Sequence, residues 1–477
     1  MKINKSDTFK NVIKKIKRRS YKLYNKLFIY LPVDILIYLR NILSVVFNHR
    51  HYESCKSNKP SAPLKKTEKR LIIFRHDGIG DYILFRNFLE ILKKSPKFAG
   101  YKITLLGNAA WKDLAEFLDK DYIDEFIWLD KKMFTVDFFY RYKKFKEITS
   151  VKYDILIHPF SREFFNADND LAYLIKADKK IGSIRITRFT KSYKTKILEK
   201  IYNELIPDAE NVRFEFYKNK IFFEKLLSEK INAETRLNRP FINLPPYPAD
   251  ATNSSAAAFS GVADLKSKLG ISTPYAAFFI GASVKHRKWP PEYFAETARY
   301  LHTKYGFNIV LCGGKSELND AAEFKKHFPA NLAGEAFFID AAGKISLIEL
   351  LYLVKDASLV ISNETMAPHI AMASANANND NFAEAHTSKY SSAKPTVIVI
   401  STGEASYGHF VPYPEEIGGS SNYSAVFHPY IEKNLKEYID ITVKFGRGYD
   451  DRFDISEITV KSVLDKIDKI LQNNLIS

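Results

Sequence analysis

Apolar runs of strand length alternate with helix-length amphipathic segments along this 477-residue chain, and the alternation happens twice. Residues 71–74, 102–106, 126–129 and 154–157 read as buried strands, with helical patterns at 82–94, 111–118 and 134–148 between them. After a Pro-, Ala- and Ser-rich stretch at 243–260 the alternation restarts, with strands expected at 275–280, 308–312, 358–361 and 395–400. Strands separated by helices cannot pair as hairpins, so each crossover sets its strands parallel. The expectation is therefore an α/β chain of two Rossmann-like, doubly wound domains, at 66–248 and 249–450. An extension at 1–65 precedes them, and a C-terminal helix within 451–477 follows. The Asn-, Ala- and Ser-rich run at 376–394 reads as a surface insertion.

A hydrophobic content of 46% is enough to give two domains real cores. The formal net charge of +17 raises the question of an anionic partner. Much of the excess lies in the extension, where Lys10, Lys14, Lys15, Lys17, Arg18, Arg19, Lys22 and Lys26 crowd ahead of an apolar stretch at 27–47. Pro32, Asp34, Arg40 and Asn41 interrupt that stretch, which disfavours a spanning helix or a secretory signal. A helix lying in the interface of an anionic membrane fits, as does a helical hairpin packed on the protein's own surface. Because the charge collects in the extension and not on a reading element, nucleic acid is not an expected partner. The only two cysteines, Cys55 and Cys312, are far apart and suggest no disulfide framework. The expected location is cytoplasmic, peripheral on the inner face of the cytoplasmic membrane.

In open α/β sheets ligands bind beyond the carboxyl ends of the strands, and four polar clusters fall at such ends. From Gly281 to Pro291 the chain gathers Lys285, His286, Arg287 and Lys288 between a strand and a helix opening on Trp289, Pro290 and Pro291. Positive charge at a helix N-terminus can hold phosphate, and Ser283, Arg287 and Lys288 are the candidate contacts; a solvated basic loop is the alternative. In Arg75 to Asp81, Gly78 and Gly80 allow a tight turn. Asp81 then suits either a helix cap or a general base acting on a hydroxyl. Glu317, just after Gly313 and Gly314, could accept bonds from ribose hydroxyls or simply favour a helix N-terminus. In Ser362 to His369, the backbone N–H groups of Thr365, Met366 and Ala367 would form an anion site flanked by Glu364 and His369. The pair Asp168 and Asp170 imitates a metal-binding D-x-D but precedes an apolar helical run, so a helix cap is the preferred reading. No His, Cys and carboxylate cluster with metal spacing appears, and a metal-independent chemistry is expected.

Taken in order, these segments resemble the lipopolysaccharide heptosyltransferases, glycosyltransferase family 9. The matching pieces are Arg75 to Asp81, Gly281 to Ser283 with Arg287 to Pro290, Leu311 to Gly314, Ala342 to Leu347, Ile361 to His369 and Lys394 to Val397. The resemblance implies a GT-B arrangement, an acceptor domain and a donor domain facing across a cleft. It further implies an inverting transfer from a nucleotide-diphosphate sugar, expected to be ADP-linked, to a lipopolysaccharide-core or similar glycolipid, with no cofactor. On the same basis Asp81 is the acceptor-activating base, Ser283 and Arg287 bind the diphosphate and Glu317 the ribose. Ile345 lines the adenine pocket, and Glu364, Thr365, Met366 and His369 surround the sugar and phosphates. The family commonly has Asp-Thr/Ser-Gly where this chain has Glu364, Thr365 and Met366, which implies a reshaped sugar pocket. The rival readings are a catalytically silent membrane-associated protein retaining the fold and, ranked below it, a basic nucleic-acid-binding protein.

Overall fold

The computed structural model describes residues 68–159, 167–184, 192–208, 212–232, 236–244, 262–328, 337–375, 395–404, 406–418, 422–435 and 453–476. The basic extension at 1–65, the insertion at 376–394 and most of the 243–260 stretch lie outside these residues. The described residues form two compact units, those within 1–76, 96–110 and 123–210 in one and those within 77–95, 111–122 and 211–477 in the other.

The first unit is built on a six-stranded sheet: β1 (Lys69–Arg75), β2 (Tyr101–Asn108), β3 (Glu125–Leu129), β4 (Lys152–His158), β5 (Lys176–Ile184) and β6 (Glu204–Pro207). Their spatial order is β3-β2-β1-β4-β5-β6, and every pairing is parallel. The core joins Ile72, Phe74, Leu106 and Leu156 of the strands to Ile148, Leu171, Leu198 and Ile201 of the helices. The helical pattern expected at 134–148 is two helices, Lys131–Val136 and Phe138–Thr149. Asp137 separates them: its carboxylate accepts from Tyr140 N–H at 2.8 Å, so the second helix begins afresh at an N-cap. Asp168 and Asp170 fall in the first turns of the helix Ala167–Leu174.

The second unit repeats the plan with β7 (Tyr275–Phe279), β8 (Asn308–Cys312), β9 (Phe338–Asp340), β10 (Leu359–Asn363), β11 (Thr396–Ser401) and β12 (Tyr423–Phe427). The order is β12-β11-β10-β7-β8-β9, again all parallel. β7, β10 and β11 are buried along their whole length, as apolar strands covered on both faces must be. The tail expected to be helical at 456–471 is the helix Val460–Ile476, whose Val463, Ile467 and Leu471 enter the core beside Phe294 and Leu301. The helix expected at 82–94 is instead two, Ile79–Ile83 and Asn87–Lys94. Between them the chain tightens into i→i−3 bonds, Phe85 N–H to Tyr82 O and Phe88 N–H to Phe85 O, both 3.0 Å. Arg86 there is drawn into a buried ion pair with Asp119 at 2.7 Å.

In both units the order reverses beside the first strand: β1 between β2 and β4, β7 between β8 and β10. This doubly wound pattern opens a crevice at the carboxyl ends of the two central strands. Among the described residues no helix is long and apolar enough to cross a membrane.

Candidate functional site

The switch point of the second unit lies between β7 and β10. Parallel pairing puts the residues that follow β7, β8, β9 and β10 on one edge of the sheet, and there they line a cavity of about 520 Å³. That size suits a ligand of nucleotide dimensions. Asp81, Ser283, Arg287, Glu317, Ile345, Glu364, Thr365, Met366 and His369 all line it. Two other candidates do not. The Lys288 ammonium is held by Asp320 at 2.6 and 2.8 Å, so the charge expected for phosphate is spent on the helix Leu318–Lys326. Ala367 is fully buried and opens the helix Ala367–Ala375.

Glu317 sits where two glycines permit it. Its Oε2 accepts from Gly314 N–H at 2.7 Å and its Oε1 from the Ser316 hydroxyl at 2.6 Å. The side chain runs across Gly281, where an added Cβ would overlap Glu317 Cγ, and past Gly313, where one would come within 3.0 Å of Glu317 Cβ. The two loops thus share space because neither carries a side chain there.

Arg287 and Glu364 form the charged centre, Nη1 to Oε1 at 3.3 Å, with the carboxylate only 5% exposed. The other carboxylate oxygen accepts from two hydroxyls, Ser401 at 2.5 Å and Ser406 at 2.6 Å. Three donors satisfy a buried charge that would otherwise be costly. Asn363, wholly buried, joins the loops after β7 and β10: its amide donates to Ile280 O at 2.7 Å and accepts from Trp289 N–H at 3.0 Å. None of Asn363, Ser401 and Ser406 was a candidate from sequence. Asn363 stands within the Ser362 to His369 segment with no feature that marks its own role, Ser401 and Ser406 carry no spacing signal, and only the fold makes the three neighbours.

Asp81 reaches the cavity on the short helix Ile79–Ile83. Its Oδ2 accepts from Gly78 N–H at 3.2 Å, so the capping geometry and a position on the cavity wall occur together. A buried network anchors the segment. The Tyr82 ring stacks on Trp111 with centroids 4.5 Å apart, and Tyr82 donates to Asp119 at 2.5 Å. Trp111 Nε1 donates to Asp77 O at 3.1 Å, and Arg86 donates to Phe241 O at 2.8 Å. Burial pushes the Asp119 carboxyl up, against the opposing pull of the Arg86 guanidinium.

Gly80 brings this segment against the helix Ala367–Ala375. A Cβ on Gly80 would come within 2.8 Å of His369 Cδ2. The His369 Nδ1 lies 2.8 Å from the Tyr413 hydroxyl, and burial lowers the imidazole's pKa to about 4. Among the described residues no group of three or more His, Cys, Asp or Glu side chains could hold a metal.

Comparison with known proteins gives the site a context. Residues 213–378 match the family model described as glycosyltransferase family 9 (heptosyltransferase). The matched segment includes the Glu317, Arg287 and Glu364 clusters but not Asp81. No curated protein sequence matches the chain. Among solved structures, the family-9 glycosyl transferase of Veillonella parvula is 18% identical, with a TM-score of 0.55, covering 86% of this chain and 99% of its own. The E. coli ADP-heptose lipopolysaccharide heptosyltransferase II is 15% identical, TM-score 0.53, covering 85% and 98%. The E. coli heptosyltransferase WaaC with ADP-2-deoxy-2-fluoro heptose is 15% identical, TM-score 0.51, covering 84% and 99%. At such identities the structural likeness speaks for the fold, two Rossmann-like units of the GT-B kind. The family match bears out the resemblance over the motifs from Gly281 to His369.

Two outcomes test this geometry. Gly281→Ala should displace Glu317 and lower nucleotide affinity more than it lowers thermal stability, as read by calorimetric titration with ADP beside a melting curve; unchanged affinity would contradict the shared-space account. The second concerns pH. His369 has a folded pKa depressed from 6.5 to about 4, so the folded state binds fewer protons in that window. Its contribution is complete above pH 6.5 and is lost as pH falls towards 4, by up to ~3 kcal/mol. Urea unfolding across this range should give a steeper loss for the wild type than for His369→Gln.

Proposed function

We propose that this chain, a glycosyltransferase of the family-9, heptosyltransferase-like type, moves heptose or a related sugar from a nucleotide-diphosphate donor to a glycolipid acceptor. The observation that carries the proposal is the cavity shared by Asp81 with Arg287, Glu317 and Glu364. A carboxylate on one wall faces the residue types that hold a sugar nucleotide on the others.

In this reading Glu317 takes the ribose hydroxyls and Ile345 borders the base. Arg287, Ser283 and the N–H groups at the start of the helix Ala367–Ala375 take the diphosphate. Asp81 accepts the proton of the acceptor hydroxyl while that oxygen attacks the anomeric carbon from the face opposite the diphosphate. The bond from the anomeric carbon to the phosphate oxygen breaks, and its electron pair leaves with the nucleoside diphosphate. One displacement inverts the anomeric centre. The reading is metal-independent, because the developing charge is assigned to Arg287 and the helix N-terminus. An ADP-linked donor is favoured by the E. coli heptosyltransferases above, whose names specify ADP-heptose or an ADP-heptose analogue.

The acceptor proposed is lipopolysaccharide core or a similar membrane-anchored glycolipid, met at the inner face of the cytoplasmic membrane. The basic, amphipathic composition of the first 65 residues supports that placement.

With EDTA present, the wild type should transfer sugar from its donor at an undiminished rate. Asp81→Asn should lose about 10²–10⁴-fold in kcat while donor affinity stays within about threefold. Equal loss of donor affinity would remove the base assignment, and a rate that falls in EDTA would remove metal independence. Separately, deletion of residues 1–60 should release the protein from vesicles containing anionic phospholipid, measured by co-sedimentation. Unchanged binding would refute the membrane role of the extension.

A further inference from the structure

His369 borders the cavity yet is only 4% exposed, and its ring has two nitrogens with different surroundings. Nδ1 lies 2.8 Å from the Tyr413 hydroxyl. Nε2 has no hydrogen-bond partner among the described residues, and it faces Gly80, where an added Cβ would sit 3.4 Å away. Tyr413 is itself 2% exposed, walled by Phe214 at 5.0 Å and Tyr423 at 5.3 Å between ring centroids. Among the described residues His369 Nδ1 is the sole partner of the Tyr413 hydroxyl.

That last fact decides where the protons are. Were Nδ1 protonated, it would donate to the phenol oxygen and leave the phenol proton buried against aromatic rings with no acceptor. With the phenol donating to Nδ1, both of these groups are paired and only Nε2, on the residue that borders the cavity, is left open. The neutral imidazole then carries its single proton on Nε2. We propose that Tyr413 is a positioning residue that fixes His369 as an Nε2–H donor to an oxygen of the bound sugar nucleotide. The oxygen is a phosphate oxygen or a sugar hydroxyl, either of which accepts one directional bond from an uncharged donor. This assignment rests on the sugar-nucleotide reading of the cavity for its ligand but not for its tautomer. It also gives Tyr413, outside the first set of candidate residues, a part in the site.

The full chain labelled with 15N-histidine tests both halves. Two-bond 1H–15N spectra at pH 7 should show the Nε2-protonated pattern for the resonance that disappears in His369→Gln. An Nδ1-protonated pattern overturns the proposal outright, and this measurement needs no variant of Tyr413 to fold. In Tyr413→Phe the pattern should shift towards a mixture of tautomers, and kcat with an ADP-sugar donor should fall about tenfold, the worth of one hydrogen bond, with KM nearly unchanged. His369→Gln, whose amide nitrogen can stand near Nε2, should keep more activity than His369→Asn, whose amide stands near Nδ1. Equal activity of these two variants, or an unchanged spectrum in Tyr413→Phe, contradicts the positioning role. If the wild-type tautomer is Nε2–H and no sugar nucleotide binds or reacts, the nucleotide-sugar reading fails while the Tyr413 assignment stands.

Discussion

One buried amide holds the site together. The Asn363 side chain closes β10 against the loop that follows β7, bonding Ile280 O on one side and Trp289 N–H on the other. The strand order already brings these two ends side by side, but parallel strands leave the loops beyond them unpaired. Asn363 supplies the missing bonds inside the protein, where water cannot. Trp289, positioned by that contact, donates through Nε1 to Ile458 O at 2.7 Å, so the C-terminal segment is tied to the same point.

The remaining polar groups build outwards from this joint in a chain of satisfied contacts. Glu364 follows Asn363 directly, and its charge is shared among Arg287, Ser401 and Ser406. Thr365 lies 3.1 Å from the Ser362 hydroxyl, and His369, on the helix that begins next, is held by Tyr413. Apart from the local Ser362–Thr365 pair, each contact joins segments distant in sequence, which fixes the cavity walls without relying on long loops. Such preorganisation is what electrostatic stabilisation of a leaving group needs, since donors that must reorganise during reaction contribute less. The Asp81 segment is held by a second network, through Tyr82, Trp111, Arg86 and Asp119.

Much of the fold could be read from the chain because its signals are local. The core strands β1, β7, β8, β10 and β11 are short, apolar and buried, and their sequence pattern says so without help. Four other strands were not expected. β6 and β9 have four and three residues at sheet edges. β12 is also an edge strand, and β5 begins with an exposed, lysine-rich half. A strand that is half solvated or very short resembles a loop, because its identity comes from its neighbour's backbone and not from its own side chains. The breaks at Asp137 and Arg86 are silent in the sequence for a related reason: a cap and a buried ion pair override an otherwise continuous apolar pattern.

For the site, the sequence by itself determined which residue types stand at the strand ends. Glycines at 281 and 313, acids at 81, 317 and 364, and a basic run at 285–288 are facts of local order, and the period of strands and helices fixes that they lie beyond carboxyl ends. Only the tertiary structure decided which of them share one space. It turned Lys288 to Asp320, gave Glu364 two serine donors from β11 and its following loop, and set Tyr413 behind His369. Those choices depend on contacts between segments 32 to 44 residues apart, and a buried polar side chain is defined by the partner that satisfies it. A linear pattern carries the residue but not the partner.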